Sequence, residues 1–211
     1  MPPLYQHSLV FVVFLFLVVQ LYGVSAEVPY EQSPKPCCLP YKFQAVITPL
    51  ATFNVHNKQV MRVYRDWVRR LQVQDFATFT AYAIGETFYR THTDFKNKVS
   101  YTIRDGKCSK SAVDYGMLEP CMPDNAEYIG SSYLGLYDDQ TNFETWFFSR
   151  TNKNRDINMT ISITADRCMP VMEHIVGQLG SGRTDTLVVF SNITRHVEDS
   201  VFELPAYCNT S

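Results

Sequence analysis

Short runs of strict apolar–polar alternation recur along the chain. Leu71 and Val73 alternate with Gln72 and Gln74, and Val99, Tyr101 and Ile103 alternate with Ser100, Thr102 and Arg104. Met159, Ile161 and Ile163 alternate with Thr160, Ser162 and Thr164. A period of two in β-branched and aromatic residues predicts strands that bury one face. "FETWFF" (143–148) and "TLVVF" (186–190) are apolar in both phases, as covered central strands are. Turn signals separate the runs at Asn57-Lys58, Arg104-Asp105-Gly106-Lys107, Asp138-Asp139 and Gly180-Ser181-Gly182. No stretch sustains an amphipathic helix beyond about three turns. The pattern predicts a mainly antiparallel β protein, a sandwich or half-open barrel, in one domain.

The first 26 residues stand apart. Leu9 to Val19 is an unbroken apolar run, too short to span a bilayer and of the length of a signal-peptide core. Val24-Ser25-Ala26 supplies a small-x-small cleavage site, although the head carries no Lys or Arg. The expected organisation is a signal peptide over 1–26 and a single β domain over 27–211, with no membrane span. All six cysteines lie beyond the signal, at 37, 38, 108, 121, 168 and 208. In an oxidising compartment that count predicts three disulfides, with fifteen possible pairings. Three sequons fit secretion to the extracellular space: Asn158-Met159-Thr160, Asn192-Ile193-Thr194 and Asn209-Thr210-Ser211.

Charge and chemistry narrow the function. Nineteen basic residues against 21 acidic ones leave no basic surface for nucleic acid. There is no H-E-x-x-H, no phosphate-binding glycine loop and no C-x-x-C, and "GSSYLG" (130–135) lacks the spacing of a nucleophile elbow. His56, His92, His174 and His196 are scattered and read as surface or satisfied strand residues. The sequence therefore predicts a protein that is not an enzyme. For calcium, the only local group of oxygen ligands is "YDDQTNFE", with Asp138, Asp139, Asn142 and Glu144. It lacks the EF-hand spacing and central glycine, and a solvated hairpin tip is the stronger reading.

Five segments taken together resemble the ependymin-related family: "KPCCLP" (35–40), "VYRDWVRRLQV" (63–73), "IRDGKC" (103–108), "ADRCMPVMEHI" (165–175) and "DSVFELPAYC" (199–208). The family's aromatic-glutamate-glycine after the first cysteine is Phe43-Gln44-Ala45 here. The resemblance implies two stacked antiparallel sheets curved around an apolar pocket, akin to bacterial lipoprotein carriers. It implies a Cys37–Cys168 bond and a Cys108–Cys208 bond, leaving Cys38 and Cys121 as the third pair. It also implies a secreted glycoprotein, often a homodimer, associated with calcium, with extracellular-matrix contact and with lipids. The first expectation is a carrier of a hydrophobic, lipid-like molecule. Its expected wall residues are Leu71, Val73, Tyr101, Ile103, Trp146, Phe148, Ile161 and Ile163, with Asp138 and Asp139 as the calcium candidates. The alternative is an adhesive or signalling glycoprotein of calcium-dependent cell-matrix contact.

Overall fold

The computed structural model of the chain describes residues 34–51, 59–79, 84–152, 154–180 and 182–210. The expected signal peptide (1–26) and the Asn57-Lys58 turn signal lie outside these residues, as does His56. From Pro34 onward the chain forms one compact unit. Its strands are β1 (Lys42–Ala51), β2 (Gln59–Asp66), β3 (Leu71–Phe79), β4 (Ile84–Asp94), β5 (Val99–Arg104) and β6 (Lys107–Ala112). After a long connection come β7 (Glu127–Leu136), β8 (Asp139–Asn152), β9 (Arg155–Thr164), β10 (Pro170–Leu179) and β11 (Gly182–Thr194). Two short 3-10 segments, Asp199–Phe202 and Ala206–Thr210, follow.

Two separate stacked sheets are not seen among the described residues. The strands make one antiparallel sheet in the order β6-β5-β4-β3-β2-β1-β11-β10-β9-β8-β7. Each half is a meander of hairpins, and the halves are hydrogen-bonded to each other where β1 meets β11, with Ile47 opposite Phe190. Alternation within a strand reports its two faces but carries no sign of which strand lies beside it, so this seam was not legible. Register shifts in β1 at Gln44/Val46 and Pro49/Ala51 mark bulges along the seam, and bulges bend a strand and raise its twist. β6 and β7 remain as edges, so the sheet is not closed.

Both large apolar clusters lie on one face of this sheet. Phe43, Ala45 and Ile47 of β1, Val63 of β2 and Phe190 of β11 form the first, with Trp67 and Phe95 from the turns. Trp146, Phe148, Ile157, Met159, Ile161 and Ile163 of β8 and β9 form the second. Residues 113–126, the β6–β7 connection, run over this face as a strap. Val113 and Met117 belong to the first cluster, Met122 to the second, and Leu39 packs against both. A strap without secondary structure must find partners for its buried backbone groups elsewhere. Trp67 Nε1 donates to the Leu118 carbonyl at 2.6 Å, Arg155 to that of Gly116 at 2.5 Å, and Arg150 to that of Cys121 at 2.6 Å. Asn154 donates to Asp114, and the Leu39 amide to Pro120 at 2.9 Å. Cys38 is disulfide-bonded to Cys121 in the middle of the strap.

The cysteine doublet precedes β1 rather than lying in it. Cys37 joins Cys168 in the β9–β10 connection, and Cys38 forms an isolated β-bridge with Cys121. The third bond, Cys108–Cys208, ties the C-terminal segment to β6 on the opposite face. There Val197 and Phe202 cover Tyr64 and Val73. Among the described residues no helix is long and apolar enough to cross a membrane.

Candidate functional site

Where the strap crosses the seam between the two halves of the sheet it does not fill the space beneath it. A cavity of about 360 Å³ remains, within the range of small-molecule sites. Its walls are mostly apolar: Ile47 and Met61 from β1 and β2, Ile175 and Leu179 from β10, Val188 and Phe190 from β11. Trp67, Phe95, Tyr115, Met117 and Leu118 close it from the turns and the strap. The polar groups are few: Arg65 and Glu173, with Gln72, Gln74, Arg155, Thr184 and Thr186.

Arg65 projects from β2 in the phase of Val63, and Glu173 from β10 in the phase of Ile175. Arg65 donates from Nε to Gln72 at 3.0 Å and lies over the rings of Phe43 and Trp67, at 6.0 and 5.7 Å from their centroids. Burial lowers its pKa, and the charge of Glu173 offsets this in part. Glu173 is buried, 6% exposed. Burial raises its pKa against the opposing pull of Arg65. The two do not come within ion-pair distance. Arg155, also buried, has an Nε with no hydrogen-bond partner among the described residues. Burial lowers its pKa too, with Glu119 of the strap opposing.

The expected wall residues are divided by the structure. Trp146, Phe148, Ile161 and Ile163 are 1–5% exposed and pack solidly under Met122, Leu118 and Leu39. They are core, because the second half of the strap and the N-terminal segment press directly on them. Leu71, Val73 and Tyr101 lie on the other face, lining a more open hollow of about 540 Å³ with His92, Lys110, Phe202 and Leu204. Ile103 lines neither space and is half-buried on β5. His92 departs from the expectation of a satisfied or surface residue. It is buried, its Nε2 has no partner among the described residues, and burial with the neighbouring Arg90 charge holds its pKa at about 4. His174 is half-buried beside Asp185 at 3.0 Å, and His196 is exposed beside Glu198 at 2.7 Å.

Asp138 and Asp139 sit at the exposed tip of the β7–β8 hairpin. Among the described residues no group of three or more His, Cys, Asp or Glu side chains is gathered to hold a metal. Asn158 and Asn192 are exposed on β9 and β11; the side chain of Asn209 lies outside the described residues.

Arg65, Glu173, Ile175, Met117 and Phe190 were missed as site residues, although a signal existed for two of them. In "VYRDW" the arginine occupies the apolar phase of Val63 and Trp67, and in "MEHIVGQL" the glutamate occupies that of Ile175 and Leu179. A charge in the inward phase of a strand marks either a buried pair or a site.

No curated protein matches the chain. Among solved structures, an uncharacterized conserved protein from Thermus thermophilus is 13% identical, with 80% of this chain and 88% of that one covered and a TM-score of 0.44. A LolA superfamily protein from Nitrosomonas europaea is 8% identical, with 78% and 91% covered and a TM-score of 0.36. A family model described as Ependymin matches residues 83–208. That stretch is more than half of the sequence and takes in everything from β4 to the last cysteine, so the chain belongs to the ependymin family.

Proposed function

We propose that this chain is a secreted, disulfide-bonded glycoprotein that carries a lipid-like molecule in the cavity beneath the strap. The observation that carries the reading is the cavity itself: about 360 Å³, walled mainly by apolar side chains and roofed by a segment pinned through Cys38–Cys121. Affinity would come from burial, about 25 cal/mol per Å² of apolar ligand surface, with a few polar groups orienting the ligand. Three disulfides and exposed Asn158 and Asn192 sequons support an extracellular setting.

The test is binding of N-phenylnaphthylamine, an uncharged fluorophore that brightens in apolar surroundings. Replacing Ile175 with Trp would fill the space it lines, so the protein should stay folded while the fluorescence gain falls. An unchanged gain in the folded variant would place the fluorophore elsewhere and remove this cavity from the reading. A second reading, an adhesive glycoprotein acting through its surface, draws support from the β7–β8 hairpin. Leu134, Leu136 and Tyr137 there are 54, 74 and 88% exposed, and such a patch is a usual mark of a docking surface. Native mass spectrometry separates the two, because a carrier leaves its source with an apolar molecule aboard.

A further inference from the structure

Within the cavity the charges are not balanced by contact. The guanidinium of Arg65 uses Nε on Gln72, and its two terminal nitrogens have no hydrogen-bond partner among the described residues. The surface that Arg65 retains opens on the cavity, and Glu173, the acidic group that lines it, stands beyond ion-pair distance. A cation in such a place is costly unless an anion joins it. The second arginine in the lining, Arg155, gives a terminal nitrogen to the Gly116 carbonyl, and its unpartnered Nε is buried away from the open space.

We propose that the cavity selects amphiphiles with a carboxylate head, taken by the terminal nitrogens of Arg65, while the chain lies against Ile175, Val188 and Phe190. The inference rests on the carrier reading above and names the ligand class for it. A guanidinium presents two parallel donors that match the two oxygens of a carboxylate. The planar fork of Arg65 is matched by the two coplanar oxygens of a carboxylate head. Burial already favours the protonated form of Glu173, in which its O–H donates to a carboxylate oxygen. The other titratable groups facing it are Arg65 from β2, Arg155 from β9 and Tyr115 from the strap.

The experiment compares dodecanoate and dodecanol as displacers of N-phenylnaphthylamine from the full mature chain at neutral pH. Water solvates a carboxylate far better than a hydroxyl, so a chain-matched preference for the acid requires a buried cation. A charge-assisted pair predicts that dodecanoate displaces at about tenfold lower concentration or better. Arg65→Met should abolish the preference, bringing dodecanoate to the level of dodecanol or weaker when both are measured on the variant. If that variant fails to fold, Glu173→Gln gives an independent reading: the acid should bind at least as well as in the parent. Equal displacement by the two compounds in the parent protein would overturn the proposal and leave the carrier reading standing. Fluorophore that never binds the parent, under conditions where it is folded, would overturn both.

Discussion

Removing the Cys38–Cys121 bond tests how the strap is held. The double variant Cys38→Ser/Cys121→Ser deletes the crosslink without leaving a free thiol. The sequence separation is 83, and loop closure over that length corresponds to about 4.5 kcal/mol. Cys37–Cys168 already restrains the neighbouring residue, so the added restraint is smaller, about 3–4 kcal/mol. In a chain of this size that lowers Tm by about 10 °C. The hydrogen bonds from Trp67, Arg150 and Arg155 to strap carbonyls remain, so the strap should stay docked but open more often. Calorimetry reads the global term, and amide exchange over residues 113–126 reads the local one. The strap amides should exchange faster than those of β1 and β11, and the fluorophore should leave the cavity faster. A Tm within about 2 °C of the parent together with unchanged strap exchange would refute the reasoning, and would mean that packing of Met117 and Met122 with these hydrogen bonds holds the roof without the crosslink.

Ile163 is 1% exposed among Trp146, Met159 and Ile161, so Ile163→Arg buries an unpaired charge at a cost of several kcal/mol; secretion from cultured cells should fail, and a folded I163R protein would mean that the second cluster opens to water. Glu173→Gln should raise Tm at pH 8 and leave it unchanged near pH 4. The raised pKa of Glu173 means that its contribution is fully present below the ordinary carboxylate value of about 4.3 and is lost as pH rises through the raised one. A difference that does not vary with pH would show that burial does not act on this carboxyl.

Much of the strand content was written in the alternation. The runs at Leu71–Gln74, Val99–Arg104 and Met159–Thr164 are strands, and the Asp105-Gly106 signal is a two-residue turn with φ of 50° and 70°, as tight hairpins require. The partner of β1 was not legible, because pairing Ile47 with Phe190 is a contact between opposite ends of the chain. Nor was the strap: residues 113–126 have no period, and their burial follows from having to connect β6 to β7, the two far edges of the sheet. That same crossing converts one expected pocket wall into core. Trp146, Phe148, Ile161 and Ile163 do face inward as their alternation requires, but inward there means against Leu118 and Met122. Burial can be read from phase; a void cannot, because it depends on what fails to arrive.

The seam between β1 and β11 also governs the order in which the molecule can be completed during synthesis. β1 leaves the ribosome early and finds β2 at once, but its other side faces no strand until Phe190 arrives, 190 − 47 = 143 residues after Ile47. At ordinary elongation rates that is a wait of roughly 7–30 s. The two adjacent cysteines meet their partners at different times within that interval, since Cys121 follows Cys38 by 83 residues while Cys168 follows Cys37 by 131. The strap can therefore be fastened while β9 to β11 are still to come. The later bond then closes at a cysteine whose neighbour is already occupied, which removes the nearest competing thiol and leaves the nascent first half to hold its unpaired strand edge until the last strand seals it.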